Sequence, residues 1–125
     1  IKSFNEAEKI EDVETMGKLV VSIGYAYTQS CKYDKLIDIS LRITRLLKKT
    51  GKEADFFETP VIVYSYALGL YGMALAMQGD FKKGKMFSTE GLNHAVKYGD
   101  KRTMAFNELQ HAGVVLSAWR TEFCS

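Results

Sequence analysis

Apolar residues recur at spacings of three and four along most of the chain, and strand-like alternation reaches no useful length. Ile10, Val13, Met16, Val20, Ile23 and Tyr27 form one such stripe, which predicts a first long helix over 8–30. Asp34 is placed to cap a second helix. Its Leu36, Ile37, Ser40, Leu41, Ile43 and Leu47 turn inward, while Lys35, Asp38, Arg42, Arg45 and Lys49 make the outer face. Lys48, Lys49 and Gly51 close it, with cations in the last turn and a glycine just beyond. Thr59-Pro60 reads as the start of a third helix running to 78, a capping hydroxyl followed by proline in the first turn. Gly79-Asp80 and Gly99-Asp100 are turns that bracket a fourth helix over 81–98, burying Phe81, Gly84, Phe87, Gly91, Leu92 and Ala95. A fifth, over 101–120, carries Ala105, Leu109, Ala112, Leu116 and Trp119 on one face. Short turns between successive helices predict antiparallel neighbours and an all-α fold of five to six helices.

Composition narrows this picture. At 125 residues, 46% hydrophobic and 26% charged, the chain suits one globular unit and is too short for a barrel enzyme or a two-domain nucleotide-binding fold. A net charge of +2 gives no basic excess of the kind that tracks nucleic acid or an anionic membrane, so neither is expected as a partner. The uncharged run over 59–79 is long enough to cross a bilayer, but it carries Ser65, tyrosines, glycines and Gln78, and no second run resembles it. A helix enclosed by its neighbours has the same pattern. Cys31 and Cys124 have no metal or redox spacing, which leaves reduced thiols and a cytoplasmic protein as the expectation. A start at Ile1 without an apolar leader reads as a fragment of something longer.

The turns also show self-similarity. Cys-Lys-Tyr-Asp-Lys-Leu at 31–36, Gly-Asp-Phe-Lys-Lys-Gly at 79–84 and Thr-Glu-Phe at 121–123 each place an aromatic after a small and a polar residue, at Tyr33, Phe81 and Phe123. A mid-helix glycine precedes each turn, at Gly24, Gly72 and Gly113. Such a glycine costs about 1 kcal/mol against alanine, and close approach of two helices is the physical reason to keep it. With Val20, Ile23-Gly24 and Tyr27, then Leu68, Tyr71-Gly72 and Leu75 followed by Gly79-Asp80-Phe81, then Leu109, Ala112-Gly113 and Leu116, the sequence resembles the tetratricopeptide-repeat superfamily. The units exceed that family's usual length and lack its proline, which is similar to the long divergent repeats of bacterial signalling ATPases and transcription activators. The resemblance implies antiparallel helix hairpins stacked as a right-handed superhelix, in one domain over 1–125 with units at 8–50, 55–99 and a truncated 101–125.

Candidate chemistry is sparse. Glu108-x-x-His111 has the spacing of half a di-iron carboxylate site, but its partner half is missing, so no metal or cofactor is expected. No phosphate loop or nucleophile set stands out, so an enzyme is not expected. Lys82, Lys83, Lys85 and Arg102 are the residues an alternative, DNA-binding reading would use. The resemblance instead implies a non-enzymatic scaffold whose first helices line a concave face for a peptide or helix. Residue by residue, that groove takes Lys18, Val21, Tyr25 and Gln29, then Tyr66, Leu70, Met73 and Met77, then Asn107, Gln110, His111 and Val114. The occupant is a protein or peptide partner, or another domain of the parent chain. The stripe from Leu109 to Trp119 would lack a covering helix, so self-association through that end is a further expectation.

Overall fold

In the computed structural model, which describes the backbone of residues 2–124 and side chains through Trp119, six helices and no strand are present among the described residues. They are α1 (Lys2–Lys9), α2 (Val13–Gln29), α3 (Tyr33–Thr50), α4 (Val63–Met77), α5 (Phe81–Tyr98) and α6 (Lys101–Cys124). Each packs on the next in the chain, α2 and α6 also flank α4, and α3 and α5 do not meet.

The predicted first helix is two. Glu11 adopts a left-handed φ of 54° that ends α1, and the Asp12 carboxylate starts α2 by accepting from the Thr15 amide at 3.2 Å and from its hydroxyl at 2.6 Å. Ile10 therefore leaves the apolar stripe and is 76% exposed. The short α1 is held by burial of Phe4 and Ala7. Arg42 of α3 lies 4.7 Å over the Phe4 ring and reaches Glu8 at 2.7 Å and Asn5 at 2.5 Å. α3 begins at Tyr33 with no side-chain cap, so Asp34 lies in its first turn instead of capping it. Its inner face is Leu36, Ile39, Ser40, Ile43, Thr44, Leu46 and Leu47, with Ile37 and Leu41 only half-buried.

Pro60 does not open α4. Thr59 turns its hydroxyl onto the Phe56 and Val61 carbonyls at 2.7 and 2.8 Å, and the helix starts three residues later. The first free amides of α4 find partners far along the chain: Ile62 N–H donates to the Thr103 hydroxyl at 2.9 Å and Val63 N–H to the Asp55 carbonyl at 3.3 Å. Every residue from Val61 to Leu70 is buried, so α4 is the axis about which α2, α3, α5 and α6 are arranged. No helix is long and apolar enough to cross a membrane among the described residues.

Backbone contact fixes the α4–α5 pair. A Cβ on Gly72 would stand 2.6 Å from the Gly84 carbonyl and from the Ser88 amide, and one on Gly84 would stand 2.7 Å from the Gly72 carbonyl. Ser88 shares this seam, whereas Phe81, Phe87 and Leu92 are only half-buried. Of the two other recurrent glycines, a Cβ on Gly24 would stand 2.8 Å from Leu70, but one on Gly113 would meet nothing nearer than Met73 at 3.6 Å, so Gly113 needs no special space. α6 continues through Cys124, so Thr121-Glu122-Phe123 is helical and not a third turn, and the burial of Phe123 lies outside the described residues.

Candidate functional site

α6 presents its polar side to the rest of the chain. Thr103, Asn107, Gln110 and Ser117 are buried together with Val114, while Leu109 is 71%, Leu116 59% and Trp119 52% exposed. Hydrogen bonds explain the inversion. Asp100 caps the helix by accepting from the Thr103 amide and hydroxyl, at 2.9 and 2.5 Å, and that hydroxyl accepts from Ile62. Asn107 donates to the Ser65 carbonyl at 2.9 Å and to the Gln110 carboxamide oxygen at 3.1 Å, and Gln110 donates to the Tyr66 carbonyl at 3.2 Å. Both amides sit where glycines leave room. A Cβ on Gly69 would collide with Gln110 and lie 2.8 Å from the Asn107 amide nitrogen, and a Cβ on Gly91 would lie 2.9 Å from that nitrogen. Only the Asn107 carboxamide oxygen and the Ser40 hydroxyl are buried without a hydrogen-bond partner among the described residues.

This packing decides where the groove candidates stand. Tyr66, Leu70, Met73, Asn107, Gln110 and Val114 are buried between α2, α4 and α6, so none of them lines an open groove. The reason is that α2 and α6 close over α4: Leu70 packs on Gly24, and Tyr66 lies near Gly24 on one side and edge-on to Phe106 on the other, with ring centroids 5.9 Å apart. His111 is half-buried and turned to α5, where Nδ1 lies 2.8 Å from the Ser88 hydroxyl. Val21 is half-buried. Lys18, Tyr25 and Gln29 are exposed on the face of α2 opposite Met16, Val20 and Ile23, and Met77 is 37% exposed at the end of α4. Phe106, 40% exposed, was not among the candidates and belongs to this face through its contact with Tyr66. The surface that remains has a closed floor, with Phe106 beside it and Tyr25 exposed on α2.

Two serine–histidine pairs lie inside the stack. Ser65 Oγ is 2.5 Å from His94 Nδ1, with the Tyr64 and Tyr98 rings 4.8 and 5.0 Å from the imidazole, and Ser88 pairs with His111. Both hydroxyls are fully buried, so neither is open to an incoming substrate. Burial lowers the His94 pKa, Lys97 adds to the shift and Glu53 opposes it. Burial also pushes the Tyr66 phenol up to about 12. Glu108 is exposed and does not meet His111's partner, and no group of three or more His, Cys, Asp or Glu side chains is placed to hold a metal among the described residues. Cys31 is exposed and free. Lys82, Lys83, Lys85 and Arg102 are all solvent-exposed. A shallow cleft of about 520 Å³ beside the start of α6 is lined by Phe56, Thr59, Pro60, Gly99, Asp100, Lys101 and Arg102. It holds both signs of charge and no nucleophile with a base.

Compared with known proteins, the chain matches no family model, and neither a curated protein nor a solved structure is significantly similar to it.

Proposed function

We propose that the chain is a non-enzymatic helical module, stacked as tetratricopeptide-like hairpins, that works inside the cell by holding a segment of another protein against α2, α4 and α6. The observation that carries this reading is the packing order: successive helices pair, and the first helices of successive hairpins, α2, α4 and α6, also pack side by side while α3 and α5 stay apart. That order suits a quasi-linear stack with one continuous face made of first helices. The exposed Tyr25 and Phe106 on that face supply aromatic anchors, and Lys18 and Gln29 supply polar groups that fix register. The bound segment would be a peptide or helix of a regulatory partner, in a signalling or transcriptional setting, or of the parent chain.

A random-peptide display selection against the folded chain tests this. Selected peptides should bind at least tenfold more weakly to Tyr25→Asp and Phe106→Asp variants whose helical circular dichroism is unchanged. A selection that enriches nothing over the Tyr25→Asp control, or peptides indifferent to both variants, would overturn the reading.

A further inference from the structure

The outward side of α6 lies at the end of the stack, away from the face just described, and an occupant for it can be argued separately. An amphipathic helix in a single chain turns its apolar side inward, yet α6 buries Thr103, Asn107, Gln110 and Ser117 and leaves Leu109 and Leu116 in water, with Ala105 and Ala112 exposed between them. Ala105, Leu109, Ala112, Leu116 and Trp119 are spaced four, three, four and three, the seam spacing of two helices that wrap around each other. Val115, 52% exposed, flanks that seam. Together these residues form one contiguous apolar strip of the kind that marks an interface.

We propose that this strip joins two copies of the chain, with their α6 helices antiparallel and crossing at Ala112. The pattern is self-complementary in that arrangement. Pairing about Ala112 sets Leu109 against Leu116 of the second copy and the small Ala105 against the large Trp119, while the two Ala112 methyls allow close approach at the two-fold axis. Charge selects the same direction. Lys101 and Arg102, both exposed at the start of α6, then lie at opposite ends of the helix pair. A parallel pair would instead bring the four cations together. Head-to-tail stacking fails on the opposite end of the molecule, because α1 turns Lys2, Ser3, Glu6 and Lys9 outward and offers the strip no apolar counterpart. The half-exposed strip covers on the order of 500 Å² per copy against the ~800 Å² per partner of a standard interface, so a weak dimer is expected, dissociating in the micromolar-to-millimolar range.

Sedimentation equilibrium of the intact chain up to about 1 mM should show a reversible monomer–dimer equilibrium in that range. Leu109→Glu and Leu116→Lys should each raise the dissociation constant at least tenfold, with helical circular dichroism unchanged. An equimolar mixture of the two variants should restore the dimer, because antiparallel pairing sets the new carboxylate of one copy against the new ammonium of the other. Should either variant fail to fold, Ala112→Cys in a Cys31→Ser, Cys124→Ser background gives an independent reading. Mild oxidation should cross-link it to a dimer, since only residues near the axis bring their Cα atoms within ~7 Å, whereas Leu116→Cys in the same background should stay uncross-linked. A wild-type chain that stays monomeric, that assembles beyond the dimer, or that dimerises unaffected by these substitutions overturns the proposal. Variants that remain monomeric when mixed, or a Leu116→Cys chain that cross-links as readily, overturn its antiparallel register.

Discussion

Gln110 of α6 occupies the space that a Cβ on Gly69 of α4 would fill, and from that notch it donates to the Tyr66 carbonyl while accepting from Asn107. The glycine and the amide are two halves of one joint. Gly69→Ala gains helix propensity but drives Gln110 out of a site where it is 6% exposed, so the chain should lose about 1–3 kcal/mol of stability. In Gly69→Ala with Gln110→Ala the new methyl enters vacated space, and the double variant should be less destabilised than the sum of the singles. Urea denaturation of the four proteins measures the coupling.

The mid-helix glycines separate by what surrounds them. Gly72→Ala would set a methyl 2.6 Å from backbone atoms of α5, which cannot yield as a flexible side chain can, so the two helices must part. We expect a loss above about 3 kcal/mol. Gly113→Ala meets only Met73 at 3.6 Å and should be neutral or stabilising by up to about 1 kcal/mol through helix propensity. Thermal unfolding followed at 222 nm, on the order of several °C per kcal/mol for a domain of this size, distinguishes them.

These contrasts show which parts of the molecule could be read from residues alone. The periods of α2 and α3 were legible because their inward faces are apolar, α4 through its uncharged run, and α5 through the flanking turns at Gly79 and Gly99, which have positive φ values of 100° and 66°. The break between α1 and α2 had a local signal in Asp12-Val-Glu-Thr15, a capping sequence masked by the apolar stripe that runs across it. Pro60 misled because the amide of Ile62, just ahead of α4, donates to the Thr103 hydroxyl forty-one positions away, a partner no local rule supplies. The candidate groove misjudged α6 for the same reason. Thr103, Asn107 and Gln110 read as surface residues by type, and only the notches at Gly69 and Gly91 and the open carbonyls of α4 draw them inside.

Stability should depend on pH through half-buried His94 and two buried tyrosines. His94 has its folded pKa lowered by burial, so below the unfolded value of about 6.5 the unfolded chain takes up the proton more readily and stability falls as pH drops. His94 faces the Tyr64 and Tyr98 rings, Ser65, Lys97 and Glu53. A His94→Gln variant should therefore lose the slope just below the unfolded value. Further acid loss below pH 4.5 belongs to Glu8, held down by Arg42, and to Asp12 and Asp100, held down by Thr15 and Thr103. At the alkaline end the unfolded Tyr66 ionises near 10 and the folded one near 12, so stability falls as pH rises through that interval; burial raises Tyr64 as well, so Tyr66→Phe should reduce the loss and Tyr64→Phe with it should reduce it further. Urea midpoints taken from pH 4 to 12 test both arms.

Tyr25 and Tyr66 should answer a carboxylate in opposite ways. Tyr66 is 6% exposed and bridges Gly24 and Phe106, so Tyr66→Asp buries a charge without a partner and leaves a cavity between α2 and α6. A loss above about 3 kcal/mol is expected, enough to unfold a marginal domain. Tyr25 is 64% exposed, and Tyr25→Asp should leave stability within about 0.5 kcal/mol. Tyr25 is accordingly the position at which binding can be separated from folding. Hydrogen exchange of the α4 amides gives the check, with faster exchange along the whole helix in Tyr66→Asp and no change in Tyr25→Asp. Equal protection in the two variants would mean that Tyr66 does not close the floor between α2 and α6.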